Sequence, residues 1–516
     1  MKLNILIGGK AGQGINKISK VISKILTNQG YFVFNYKDYP SIIRGGQNFN
    51  ILSVSDKRIG SNDTKLDIII SIDEIILKDH RKNLKKDGLI FSHEKFKDLG
   101  INMNVALAGE LIKSIGIEEK ILIKEIKNQF KNNKDSISAA KKGYDFGKKK
   151  FDLKKLNNKI TIMSGSEAIT KGAVNSGIDI YFAYPMTPST GVMHELAAEQ
   201  LKEKNKLIVF QPESEIAVAN AALGASFAGS KVMIGTSGGG FDLMSEALSF
   251  QGQSEIPLTI YLASRSGPGT GVPTYTSQAD LNIALRAGHG EFPRVVIAPG
   301  DPIEAIEKTN EALYLAEKFN SLSIILSDKH LAESEFSFNR KPNKILKVNI
   351  KRKIPGRDIV KSNSYEHDEF GNTTELAEIT KKNAEKRIAK YEAIKKECKK
   401  FEMIKIYGNK NSKNLIISWG STKTVILDAL DAIDGSIEKG GKYKFLQVLY
   451  FKPMSNKIIE EIKKANKIIL IENNLTGQLG RLIREKTGFK IKNRILKYNG
   501  RPFISNELKK EILKIK

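Results

Sequence analysis

Leu3-Asn4-Ile5-Leu6-Ile7-Gly8-Gly9-Lys10-Ala11-Gly12-Gln13-Gly14 is an apolar run that breaks into glycines, and Ile15, Ile18, Val21, Ile22, Ile25 and Leu26 follow it. The run reads as a buried strand. The later residues, three and four apart, read as one face of a helix that Gly30 ends. Two more strand-like runs come next, at 31–36 and 66–72. Strand, helix, strand in that order predicts an α/β domain on a parallel sheet. Backbone amides at a glycine turn facing a helix N-terminus favour phosphate. The dinucleotide fingerprint nevertheless fails, because it needs a glycine where Lys17 stands. Gly12, Gln13 and Gly14 therefore remain a candidate anion loop, together with Arg44 in Tyr39-Pro40-Ser41-Ile42-Ile43-Arg44-Gly45-Gly46. The alternative is a purely structural strand-to-helix turn.

The same alternation recurs downstream. Strand-like runs at 178–183, 207–211, 231–235 and 258–263 are separated by helical stretches, and so are those at 415–419, 445–450 and 467–472. Residues 347–413 are polar with no clear strand, and 375–405 read as a charged surface helix. The fold class expected is α/β, with three parallel-sheet α/β domains at 1–155, 156–345 and 414–516, and a linker with a charged helix at 346–413.

Composition narrows the function. The 516 residues contain one cysteine, Cys398, which alone forms no intrachain disulfide, zinc knuckle or iron–sulfur cluster. The net charge is +27, but the lysines are spread along the chain and mixed with acids, as in 381–400. A nucleic-acid interface predicts clustered cations instead, so no nucleic acid is expected. No apolar stretch nears the ~20 residues of a membrane span, and no secretion signal is read at the N-terminus. A cytoplasmic protein is expected.

The central segment carries the informative motifs. Tyr184-Pro185-Met186-Thr187-Pro188-Ser189-Thr190 closes a strand, and its two prolines fix Thr187 where open α/β sheets bind ligands. The plainer reading is helix capping by Ser and Thr. Gln211-Pro212-Glu213-Ser214-Glu215 precedes an alanine-rich helix whose small residues permit close packing and hence a buried carboxylate. Helix-dipole partnership is the competing explanation. Thr236-Ser237-Gly238-Gly239-Gly240 is another glycine loop. Arg265-Ser266-Gly267-Pro268-Gly269-Thr270-Gly271-Val272-Pro273-Thr274 describes an ordered irregular loop behind one arginine. Gln278-Ala279-Asp280-Leu281 and Gly288-His289-Gly290-Glu291-Phe292-Pro293-Arg294 follow.

In that order the motifs resemble the α subunit of 2-oxoacid:ferredoxin oxidoreductases, most closely the 2-oxoglutarate type. Tyr365-Glu366-His367-Asp368-Glu369-Phe370-Gly371, Glu472-Asn473-Asn474-Leu475-Thr476-Gly477-Gln478 and Gly500-Arg501-Pro502-Phe503 extend the likeness to the C-terminal part. The N-terminal glycine turn and the 39–46 loop resemble the family's γ domain, fused here. The resemblance implies a γ-type domain, a thiamine pyrimidine-binding domain and a transketolase C-terminal-like domain. It implies oxidative decarboxylation of a 2-oxoacid to acyl-CoA and CO₂, with electrons passed to ferredoxin or a similar carrier. Glu215 matches the acid that shares a proton with N1′ of the thiamine aminopyrimidine. Thr187 and Arg265 match substrate-binding residues, and Pro185 and Thr187 line the cofactor loop. Met186 departs from the family's common Ile. No Gly-Asp-Gly occurs, since Gly300-Asp301 is followed by Pro302. The Mg²⁺ ligands, the diphosphate half of thiamine diphosphate and the [4Fe-4S] cluster are therefore expected on a β subunit, in an αβ or α₂β₂ assembly. Coenzyme A is expected as a substrate, with the 12–14 and Arg44 loops as its candidate site. Pyruvate, branched-chain 2-oxoacids or a non-catalytic regulatory role are the alternatives.

Overall fold

The computed structural model describes residues 2–41, 46–202, 206–348, 352–437 and 440–515. Three sheets flanked by helices, the central and third mostly parallel and the first mixed, confirm the α/β class. The first orders its strands as Leu84–Ser92, Leu66–Ser71, Lys2–Lys10, Gln47–Ser55, Phe32–Asp38, Glu335–Phe338 and Thr161–Ser164. Helix Ile15–Asn28 packs on it through Ile15, Ile18, Val21, Ile22, Ile25 and Leu26, the residues whose spacing predicts it.

This sheet differs from the expected parallel one. Gln47–Ser55 lies between Lys2–Lys10 and Phe32–Asp38 and runs antiparallel to both. Its pattern is hard to read because polar side chains are satisfied inside: Ser53 Oγ donates to Asn4 Oδ1 at 2.6 Å, and Asn50 Nδ2 to Asn16 Oδ1 at 3.1 Å. Two strands of the central segment, Glu335–Phe338 and Thr161–Ser164, extend the same sheet. Residues beyond helix Lys134–Phe146 fold back onto it, with Leu153 N bonding Ile115 O and Leu156 N bonding Gln29 O.

The central sheet runs Tyr450–Lys452, Arg294–Ile297, Leu322–Asp328, Leu258–Ser264, Val232–Thr236, Ile180–Phe182 and Ile208–Phe210. It is parallel except at its first pair. The third runs Ile404–Gly408, Lys444–Val448, Asn414–Trp419, Lys467–Glu472 and Asn493–Leu496, with only Ile404–Gly408 antiparallel. That edge strand was not expected in the 347–413 stretch; the charged helix there spans Ala377–Cys398.

The three bodies interlock. Central and third sheets share a core in which Trp419 meets Phe451 edge-on at 5.2 Å. Arg58 of the first body bonds Asp428 and Asp431 of the third at 3.2 and 2.8 Å, and Gly60 N and Ser61 Oγ also donate to Asp428.

Candidate active site

Four neighbouring parallel strands, Leu258–Ser264, Val232–Thr236, Ile180–Phe182 and Ile208–Phe210, end on one side of the central sheet. The segments beyond them carry Arg265, Thr187, Glu215 and the 238–240 glycines, which form the first turn of helix Gly238–Leu243 and not the expected loop, so topology gathers motifs far apart in the chain. This is the carboxyl edge at which open α/β sheets bind ligands.

Glu215 is the first residue of helix Glu215–Phe227. Ser214 caps that helix, its hydroxyl accepting from Ala217 N at 3.2 Å. Glu215 is only 4% exposed, and its Oε1 has no hydrogen-bond partner among the described residues. Buried carboxylate oxygens are normally paired, so this one has the character of a ligand contact. Glu213, two residues earlier, is exposed and precedes the helix. Gly240 makes room for the carboxyl: a Cβ there would stand 2.7 and 2.8 Å from Glu215 Cγ and Oε1, and 2.2 Å from Thr236 Oγ1.

The Thr187 loop is built as the prolines suggest, with Thr187-Pro188 in cis. Ser189 does not cap helix Thr190–Gln200; its hydroxyl donates back to Met186 O at 2.7 Å and braces the loop. Thr187 is half-buried, and its carbonyl accepts from Arg265 Nη1 at 2.9 Å, while Pro185 is exposed beside it. Burial holds the Arg265 guanidinium below its usual value, opposed by the charges of Asp280 and then Glu215. The four motifs thus share one electrostatic site.

Asp280 lies within a motif whose spacing gave it no role. Burial pushes its carboxyl up to about 6, against the pull of Ser264 and Arg265, and Oδ2 is unpartnered among the described residues. Ser237 Oγ and Thr274 Oγ1 are unpartnered likewise. A wall of polar atoms without protein partners is what a bound polar cofactor would satisfy, and the Glu215 carboxyl fits an aminopyrimidine nitrogen.

The C-terminal motifs brace the site from behind. Gln278 N donates to Asn473 O at 2.7 Å and Gln278 Oε1 accepts from Asn473 N at 2.9 Å, while Thr276 N bonds Gly500 O at 3.2 Å. Arg501 stacks over the Tyr275 ring at 3.5 Å and reaches Asp38 at 3.4 Å, tying the Arg265 loop to the first sheet. The 265–275 loop closes through Val272 N to Ser266 O at 3.0 Å.

At the other candidate loop, Gln13 Oε1 accepts from Lys10 N at 2.7 Å and Gln13 O accepts from Asn104 Nδ2 at 2.8 Å. Gly12 and Gly14 both have positive φ, as a tight strand-to-helix turn requires. Arg44 lies outside the described residues. Cys398 is buried, which pushes its thiol up to about 12 and keeps it from acting as a thiolate ligand. Among the described residues, no three His, Cys, Asp or Glu side chains gather where they could hold a metal ion, and no helix is long and apolar enough to cross a membrane.

The site is thus a buried helix-terminal carboxylate beside an arginine, at the carboxyl edge of a parallel sheet. Residues 171–403 match the family described as pyruvate flavodoxin/ferredoxin oxidoreductase, thiamine diphosphate-binding. Residues 4–102 match pyruvate ferredoxin/flavodoxin oxidoreductase. A 2-oxoacid:ferredoxin oxidoreductase subunit alpha from Sulfolobus sp is 30% identical, with 100% of this chain and 97% of the relative aligned. A 2-oxoglutarate synthase subunit KorA from Archaeoglobus fulgidus is 39% identical over 34% of this chain and 50% of its own. The solved 2-oxoglutarate:ferredoxin oxidoreductase from Magnetococcus marinus, with 2-oxoglutarate, coenzyme A and succinyl-CoA bound, superposes with a TM-score of 0.88 at 25% identity, covering 99% of both chains. The chain belongs to the 2-oxoacid:ferredoxin oxidoreductase α-subunit family, and it is a thiamine-dependent oxidoreductase subunit.

Proposed function

We propose that this subunit provides the aminopyrimidine side of a thiamine diphosphate site completed by a β subunit, and that the complex oxidatively decarboxylates 2-oxoglutarate. The single observation that carries the reading is the buried Glu215 Oε1, unpartnered among the described residues, at the strand edge that also carries Arg265 and Thr187. When bound, thiamine diphosphate supplies the carbon nucleophile and the electron sink for loss of CO₂. Glu215 holds a proton at N1′ of the aminopyrimidine. Arg265 keeps one N–H on Thr187 O and turns its remaining donors to the substrate's 1-carboxylate, a charge-assisted contact. Pro185 and Thr187 shape the wall between cofactor and substrate.

An apolar rim supports the β subunit's place. Ile208 and Phe210 on the edge strand, Ile216 on the Glu215 helix and Leu243 at the end of helix Gly238–Leu243 are each about half exposed. The β subunit brings the Mg²⁺ ligands, the diphosphate-binding residues and the [4Fe-4S] cluster, in an αβ or α₂β₂ assembly. Ferredoxin or a similar carrier takes the electrons. Coenzyme A takes the acyl group, and the γ-type domain of residues 1–155, with its 12–14 loop, is its candidate site. The thiamine pyrimidine-binding domain is assigned to 156–345 and the transketolase C-terminal-like domain to 414–516, in a cytoplasmic enzyme. Preference for 2-oxoglutarate draws on the names of the KorA relative and of the superposed structure.

The test is viologen-dye reduction by the chain alone and by the complex, with 2-oxoglutarate, pyruvate and branched-chain 2-oxoacids. Activity should require both subunits, with kcat/KM highest for 2-oxoglutarate. Turnover by the isolated chain would refute the shared site, and a preference for another 2-oxoacid would replace the substrate.

A further inference from the structure

At the edge of the central sheet remote from Glu215, Tyr450–Lys452 pairs antiparallel with Arg294–Ile297, setting Lys452 opposite Val296. Arg294, the last residue of the Gly-His-Gly-Glu-Phe-Pro-Arg motif, is 3% exposed. Its guanidinium lies over the Phe292 ring at 4.5 Å, Nη1 donates to Ala284 O at 3.4 Å, and Nε has no partner. Among the described residues no carboxylate pairs with it, and burial lowers it to about 10. Lys452 beside it is half-buried and has neither ion pair nor hydrogen bond among the described residues. Burial lowers its ammonium to about 8, and the charges of Arg294, Lys486 and Arg286 push it the same way.

Lys452 lines a cavity of about 400 Å³ together with Arg286, Lys486, Tyr391 and Phe451, and Arg294 lies outside that lining, where its charge acts on Lys452. Glu485 is the acid of the lining whose charge acts on Lys452, and it is already shared by Arg286 and Lys486. Lys395, from helix Ala377–Cys398, is paired with Glu392. Three cations of the lining, Arg286, Lys452 and Lys486, therefore share one carboxylate, and the buried charge of Arg294 adds to theirs at Lys452. Burying charge without a counterion is costly, and a buried Arg294 beside a half-buried Lys452 adds repulsion. A dianion offsets both, and the aromatic and aliphatic walls can take an organic group.

We propose that this cavity is a binding site for a phosphate monoester of mononucleotide size, held by Lys452 with Arg286 and Lys486 at its mouth. The volume lies within the range of small-molecule sites, roughly 300–1,000 Å³. The convergence of cations favours a doubly charged phosphate over a carboxylate. The site is separate from the thiamine cleft and does not depend on the substrate assigned there.

The experiment is calorimetric titration of the full chain with inorganic phosphate, adenosine monophosphate and, as the uncharged control, adenosine, at pH 8 in two buffers of different ionisation enthalpy. An anion favours the charged ammonium, so binding should take up protons at pH 8 through Lys452. Adenosine monophosphate should bind more tightly than phosphate, and adenosine should not bind. Lys452→Met should weaken phosphate binding about tenfold or more, the effect of one lost charge-assisted contact. Lys452→Arg should restore binding but abolish proton uptake, because a guanidinium stays charged throughout. Binding that survives Lys452→Met, or proton uptake that persists in Lys452→Arg, overturns the site. Adenosine monophosphate binding no tighter than phosphate overturns its nucleotide size.

Discussion

At the residue scale, two carboxyls of the cleft lead to separate predictions. Gln at position 215 keeps the shape of Glu215 but cannot exchange a proton with the cofactor. Glu215→Gln should lower kcat by roughly 10²–10⁴, the usual range for lost acid–base help, while Glu213→Gln, at an exposed position, should cost far less. Hydrogen–deuterium exchange at thiamine C2 in the assembled complex checks this, and equal rates in the two variants would remove the assignment. For Asp280, the folded carboxyl is pushed up to about 6 from an ordinary value near 3.9. A raised acid binds its proton more tightly when folded, so stability is lost as pH rises through that window. About two units correspond to roughly 3 kcal/mol. Relative to the parent, Asp280→Asn should gain about that much between pH 4 and pH 7, measured by urea unfolding at each pH. A flat difference would mean that burial does not disfavour the Asp280 charge. Glu215 and Arg265 were legible as residue types in loops after strands. Asp280 was not, because its role comes from burial beside Arg265 and not from spacing.

At the element scale, the fit of helix Glu215–Phe227 against helix Gly238–Leu243 is the sensitive feature. A methyl group at Gly240 collides with Thr236 Oγ1 and the Glu215 carboxyl. Gly240→Ala should cost about 1–3 kcal/mol as an overpacked contact and swing the carboxyl off its position. The expected outcome is a folded complex with at least tenfold weaker thiamine diphosphate binding, read by cofactor titration. Unchanged affinity would show that the Glu215 carboxyl tolerates displacement. Helices with an apolar stripe, such as Ile15–Asn28, and buried parallel strands, such as Leu258–Ser264, announce themselves by period and length. Gln47–Ser55 does not, because its inward residues include Asn50 and Ser53, whose partners come from Asn16 and Asn4. Ile404–Gly408 does not either, since a half-buried edge strand alternates too weakly. The pairing of Glu335–Phe338 with Phe32–Asp38 spans about 300 residues and leaves no local trace.

At the scale of the whole molecule, the central and third sheets are joined by a buried ionic knot. Glu304 receives Lys423 and Lys405 at 2.6 and 3.1 Å, and Gln447 Nε2 and Gly300 N at 2.7 and 2.8 Å. Burial alone would raise this carboxyl, but the two ammonium groups outweigh it and hold it well below the usual carboxylate range. A depressed acid stabilises the fold above its unfolded value, near 4.3, and that contribution is lost as pH falls through the folded one. Glu304→Gln leaves Lys423 with Asp301 alone and Lys405 with Glu402 alone, and should cost about 1.5–3 kcal/mol, the range for a lost hydrogen bond to a charged group. Thermal melting at pH 7 measures it, and an unchanged melting temperature would mean that Asp301 and Glu402 suffice for the two lysines. The edge strand Ile208–Phe210 bears on the life of the chain before assembly. One side of it has no strand partner among the described residues, and Ile208 and Phe210 are half in water. An unprotected ribbon end of this kind templates pairing with other chains. If the proposed β subunit covers this edge, newly made copies face a race between that partner and one another, and subunit supply ratio, more than intrinsic fold stability, sets how much usable enzyme accumulates.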